Sequence, residues 1–222
     1  MKEAYIITGE YGAGKTEFSI NLALTLRKQS SKPIYIADLD VINPYFRSRE
    51  KEAILKEKDI TLTGYSVPGD SDQDIPAISY GFIQSMKKGD KITIIDLAGS
   101  ENGLKPLTPL YESLKASEFL CVFNLYRPQT STKKDILEFL NKINGISQWP
   151  VTGLVNNSHM LHDTEASHIL KGQEILLQVS KEVNLPLVFT QLQKKLYDQI
   201  SSEIQSKDVI LFDKLQMRET WQ

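Results

Sequence analysis

Cysteine is almost absent: Cys121 is the only one in 222 residues. A lone thiol excludes an intramolecular disulfide framework and a cysteine-rich metal site, and it fits a reducing cytoplasm. Long apolar runs are missing too, so nothing in the sequence has the length to cross a bilayer. A dominant charge sign is also lacking. The chain carries 26 Lys and Arg against 28 Asp and Glu, a net charge of −2. No field of one sign draws it to nucleic acid or to an anionic membrane. The N-terminus runs directly into a strand without a signal-peptide pattern, and the expected location is the cytoplasm. Repeats, low-complexity tracts and linkers are absent, so residues 1–222 are expected to form a single domain with a sizeable core.

What is present begins at Gly9-Glu10-Tyr11-Gly12-Ala13-Gly14-Lys15-Thr16. The apolar Tyr5-Ile6-Ile7 precedes it and a helical pattern from Lys15 to Lys28 follows, which is the strand–loop–helix context of a phosphate-binding P-loop. Glycines let the backbone come close to phosphate oxygens without a Cβ in the way. Successive N–H groups then form an anion nest, aided by the helix N-terminus. Lys15 is expected at the β- and γ-phosphates and Thr16 on Mg²⁺, with Glu17 at the end of the same loop.

Further along, strands are expected at 33–37, weakly at 60–62, and at 91–95, 119–125, 151–155 and 185–189. Helices are expected near 49–58, 77–87, 110–115, 132–143, 165–183 and 194–202, with a long loop from Gly64 to Pro76 and an ambiguous tail from Asp208. This alternation predicts a three-layer α/β fold, a mostly parallel sheet flanked by helices. Ligands of such sheets bind at the carboxyl ends of the strands. Asp38, Asp40, Asp96, Asn124 and Asn156 all sit there.

Asp96 closes the run Ile92-Thr93-Ile94-Ile95, as a Walker B aspartate does, and would hold Mg²⁺. Gly99, three residues on, could offer its N–H to the γ-phosphate. Asp38 and Asp40 end the second strand, where one could bind metal-bound water and the other orient the attacking water. A solvated acidic turn is the plainer alternative for that pair.

Taken together, the P-loop, Asp38-Leu39-Asp40 and Asp96-Leu97-Ala98-Gly99 resemble the MinD/ParA group of P-loop ATPases, of the SIMIBI class. The stretch from Asp38 to Arg47, with Asp74-Ile75-Pro76, Tyr126-Arg127-Pro128 and Asn156-Asn157, resembles a bacterial subgroup described only as ATP-binding proteins. The resemblance implies ATP and Mg²⁺ as ligands, Asp40 as the water-activating aspartate and Asp38 as an outer magnesium aspartate. It also implies Asn156 as reader of the adenine edge, with Thr190 and Gln191 lining the base. A nucleotide switch acting on a protein partner, or on a second copy of the chain, is the expected activity. Relatives acting on cobyrinate and dethiobiotin make an ATP-dependent ligase or kinase with a small-molecule substrate the alternative.

One departure is plain. The group carries a lysine near the start of the loop that crosses to a partner's phosphates, and here that position is Glu10. A carboxylate repels phosphate, so the crossing-lysine dimer does not carry over. Arg47 and Arg127 are candidate substitutes. Asn43, Tyr45, Arg47, Asn124, Tyr126 and Arg127, with Asp72 and Asp74, could line a second pocket or pack as switch loops. His159, His162 and His168 fit surface histidines around a helix start better than a metal site. The mixed charges of the tail favour packing on the domain over membrane contact.

Overall fold

The computed structural model describes residues 2–39, 52–64 and 90–217. Short β-branched runs become strands that are buried on both faces, and the described helices between them return the chain to the same end of the sheet. In order these are β1 (Ala4–Gly9), α1 (Lys15–Gln29), β2 (Ile34–Asp38), α2 (Glu52–Glu57), β3 (Ile60–Gly64) and β4 (Ile92–Asp96). Then come α3 (Glu101–Leu104), a 3₁₀ stretch Lys105–Leu110, α4 (Tyr111–Leu114), β5 (Glu118–Phe123) and α5 (Lys133–Ile146). The chain goes on through β6 (Gly153–Asn156), α6 (Ala166–Val183), β7 (Leu187–Gln193), α7 (Lys194–Ile200) and β8 (Asp208–Phe212). All eight strands are parallel, in the order β3-β2-β4-β1-β5-β6-β7-β8.

Period-two alternation sorts the strand residues between two cores. On one face Ile7, Ile36, Ile94, Val122 and Val155 pack against Phe18, Leu22 and Leu26 of α1. On the other, Ile6, Ile95, Cys121, Phe123 and Leu154 meet Ile136, Phe139 and Ile143 of α5 and Leu176 and Val179 of α6. The three-layer α/β expectation is met, with a sheet that is wholly parallel.

Most expected elements appear within a few residues of their places. The expected short helix at 110–115 extends back through the 3₁₀ stretch and α3, and the ambiguous tail supplies the edge strand β8. The expected loop beyond Gly64, the helix at 77–87, and Asp40, Asn43, Tyr45, Arg47, Asp72 and Asp74 lie outside the described residues. Among the described residues no helix is long and apolar enough to cross a membrane. Cys121 is fully buried, and burial pushes its thiol well above the usual range, so it is a core residue and not a nucleophile.

Helix α5 starts with a capping box, Thr132 and Asp135 each taking the other's backbone N–H at 3.2 and 2.9 Å. Helix α6 lies directly over the end of β6. A Cβ on Gly172 would come within 2.7 Å of Asn156 Oδ1 and 2.6 Å of Ser158 Cβ. Gly172→Ala should therefore destabilise the fold by roughly 1–3 kcal/mol in urea unfolding, despite alanine's better helix propensity. A stabilised variant would mean that α6 can lift off β6 at no cost.

Candidate functional site

The loop between β1 and α1 takes a shape that only glycine supports at two points. Gly12 and Gly14 have φ of 75° and 85°, in the left-handed region. Ala13 N–H donates to the Glu10 carbonyl at 3.1 Å, and Lys15 Nζ donates to the same carbonyl at 3.3 Å, which folds the loop over its lysine. Phe18 makes the first helical hydrogen bond, to Gly14 O at 2.9 Å. The N–H groups of residues 15–17 thus precede the helix ladder and face the loop's concavity, where an anion is favoured. Glu10 turns its carboxylate back onto Tyr11 N–H at 3.0 Å, and Tyr11 is exposed at the loop tip.

Each neighbouring strand end touches this loop. Gly99, after β4, lies against Gly9, since a Cβ there would run into the Gly9 carbonyl. Arg127, after β5, donates from Nε to the Gly12 carbonyl at 3.0 Å. Asn157, after β6, donates from Nδ2 to the Ala13 carbonyl at 2.8 Å, and its Oδ1 accepts from Gln191 Nε2 at 3.1 Å.

Asp38 and Asp96 are direct partners in the β2–β4 register and follow Ile36 and Ile94 onto the α1 face. They are 4% and 0% exposed. Two buried carboxylates on adjacent strands require compensating positive charge. Thr16, at the start of α1, and these two side chains carry oxygen donors, the ligand type that Mg²⁺ takes. Among the described residues no group of three or more His, Cys, Asp or Glu is placed to hold a metal ion.

A pocket of about 310 Å³ opens beside the loop. Its walls are Tyr11, Gly12 and Gly14 to Glu17 on one side, and Arg127 to Gln129, His159, Leu161, Leu215 and Met217 on the others. A recess of about 20 Å³ adjoins it, sharing Glu17, His159, Leu161 and Leu215 and reaching Asn157 and Gln191. Among the described residues, Gln191 Oε1 is buried there without a hydrogen-bond partner.

One sequence expectation is corrected, and for Asn124 and Tyr126 the packing alternative is the one seen. Asn156 does not face the pocket: it points to α6, donating to the Ile169 carbonyl at 3.0 Å and accepting from Ser158 N–H at 3.2 Å. It shares the face of Leu154, whereas Asn157 follows Val155 onto the loop side. Asn124 does not line the pocket either. It links two loops, its Oδ1 accepting from His159 N–H and its Nδ2 donating to the His159 carbonyl, both at 3.2 Å. Tyr126 stacks edge-on against His168, 4.8 Å between ring centroids. Of that cluster's described residues only Arg127 reaches the pocket.

The contribution of the tail was not visible in the sequence. The Glu17 carboxylate accepts from Gln216 N–H at 2.9 and 3.0 Å, from Met217 N–H at 2.9 Å and from Asn21 Nδ2 at 2.9 Å. This strap lays Leu215 and Met217 over the pocket. The Glu17 carboxylate is thereby committed to the tail and to Asn21.

No protein-family model matches the chain, and no curated protein matches it. Solved structures do. Cell division protein FtsY from Thermotoga maritima superposes with a TM-score of 0.59 at 19% identity, over 86% of this chain and 62% of that one. FtsY from Mycoplasma mycoides gives 0.58 at 16% identity, over 85% and 59%. Chloroplast FtsY from Physcomitrella patens gives 0.56 at 14%, over 86% and 59%. The chain thus spans about three fifths of these structures. The likeness shows the fold, an α/β P-loop NTPase-type sheet.

Glu17→Ala should free the strap. Trypsin should then cut at Lys214 faster than in the unaltered protein, and stability should fall by on the order of 2 kcal/mol, the scale of hydrogen bonds to a charged acceptor. Mass spectrometry of timed digests reads the first, urea unfolding the second. An unchanged cleavage rate would mean that the strap is held by other contacts.

Proposed function

We propose that the chain binds a Mg²⁺–nucleoside triphosphate, ATP in preference to GTP, and hydrolyses it as a nucleotide switch of the MinD/ParA kind. One observation carries this: a P-loop with left-handed Gly12 and Gly14 and a buried Lys15 forms one wall of a pocket of about 310 Å³. The loop amides and Lys15 would hold the phosphates. Thr16 and Asp96 would hold the cation, with Asp38 behind them. A cation held there would supply neutralisation of phosphate charge. Gly99 N–H would meet the γ-phosphate, and Asp40 would position the attacking water.

The base would lie against His159, Leu161, Leu215 and Met217, with its edge at Asn157 and Gln191. After β6 the chain reads Asn156-Asn157-Ser158-His159, without a carboxylate to accept from the N–H groups of guanine. The buried Gln191 Oε1 suits the amino group of adenine. Glu10 stands where the MinD/ParA lysine would be, so any dimer of this chain would meet without that lysine. The ligase or kinase alternative needs a second pocket. Asn124 and Tyr126 are engaged elsewhere, so nothing among the described residues favours it over the switch.

Calorimetric titration with ATP and GTP, with Mg²⁺ and with EDTA, tests the proposal alongside a phosphate-release assay. ATP should bind at least about tenfold tighter than GTP, the effect of one well-paired hydrogen-bond set. Lys15→Ala should lose measurable binding. Asp96→Asn should bind ATP equally well with and without Mg²⁺. Normal ATP affinity in the Lys15→Ala protein would sink the assignment.

A further inference from the structure

Arg127 is fixed from its backbone outward. Its N–H donates to the Asn124 carbonyl at 3.1 Å, and its carbonyl accepts from Thr130 N–H at 3.0 Å. Thr130 Oγ1 closes the same turn on the Asn124 carbonyl at 2.8 Å. The side chain then crosses to the phosphate loop and donates from Nε to the Gly12 carbonyl. It can lie there because Gly12 has no side chain. A Cβ would sit 3.2 Å from Nε and 3.5 Å from both Cδ and Cζ.

Only one of the five guanidinium N–H groups is used in this contact. Among the described residues the four on Nη1 and Nη2 meet no acceptor, and no carboxylate pairs with the charge. The residue is half-buried and lines the same pocket as Lys15 and Thr16. A surface arginine gains a carboxylate or full hydration, and this one has no carboxylate among the described residues and is hydrated only in part. A planar, permanently charged fork with free donors beside an anion nest matches phosphate oxygens.

We propose that Arg127 contacts the phosphate chain of the bound nucleotide within the same chain, supplying from the β5 loop the positive charge that the Glu10 position lacks. The ligand class is a nucleoside di- or triphosphate, and the proposal rests on the nucleotide-binding reading above. A purely structural role, bracing the Gly12 carbonyl, is the competing account.

Arg127→Gln separates the two, because its amide can still donate to Gly12 while the charge is gone. Arg127→Met, which keeps the aliphatic stem, is the second variant should the first fail to fold. ATP, ADP and adenosine affinities are measured by calorimetry at two salt concentrations, with melting temperature as the check on folding. The expected result is a loss of about tenfold or more for ATP and ADP, the scale of a charge-assisted hydrogen bond. Adenosine affinity should be unchanged, and ATP binding should depend less on salt than in the unaltered protein. Unaltered ATP affinity in a folded neutral variant overturns the proposal. The Lys15→Ala protein, run in parallel, separates the failures. If it loses ATP while Arg127→Gln does not, only the role of Arg127 falls; if it retains ATP, the nucleotide reading falls with it.

Discussion

A hydrogen bond from Asn157 Nδ2 to the Ala13 carbonyl ties the phosphate loop to the end of β6, and Gln191 of β7 holds that asparagine from behind. The bond is buried, so losing it would strand a polar group on each side. It also sets how near the loop may come to the sheet. A Cβ on Gly14 would collide with the Asn157 amide. A Cβ on Gly9 would run into the Val122 carbonyl of β5, and one on Gly12 would crowd the Arg127 side chain. The glycines that would admit a ligand's phosphates are thus also the ones that let the scaffold touch the loop. A rigid anion nest needs both: open N–H groups in front and fixed carbonyls behind.

The same economy governs the carboxylates. Asp38 and Asp96 lie side by side because β2 and β4 are neighbours in register, although the chain separates them by 58 residues. The order β3-β2-β4-β1 puts the β2–β4 pair one strand from the phosphate loop. Burying both carries a cost that positive charge nearby must offset. Lys15 is itself buried, at the start of α1.

Much of this was legible in the sequence, and for physical reasons. The P-loop spacing, the apolar run before Asp96 and the alternation of strand and helix patterns each follow from local rules, and the fold matched them. The orientation of β6 was not legible. Leu154 and Val155 are both apolar because both faces of the sheet are covered, so no alternation told which of Asn156 and Asn157 faces the loop. Asn124 stayed open between two alternatives in the same way, since a strand-end asparagine can face a pocket or link two loops, and only the partner decides. Glu17 was read as part of the loop motif. Its carboxylate instead serves a contact to the tail, and long-range contacts of that kind leave no local pattern.

That contact gives the pocket an order in time. Gln216 and Met217 meet Glu17 across separations of 199 and 200 residues. Chain closure over such a span follows the assembly of the sheet, because the entropy of a long loop must be overcome before the contact is gained. Leu215 and Met217 therefore join the pocket wall only after the sheet that separates them from the phosphate loop in sequence is in place. With the strap released, the loop would keep its cradle and lose the apolar cover on its other side.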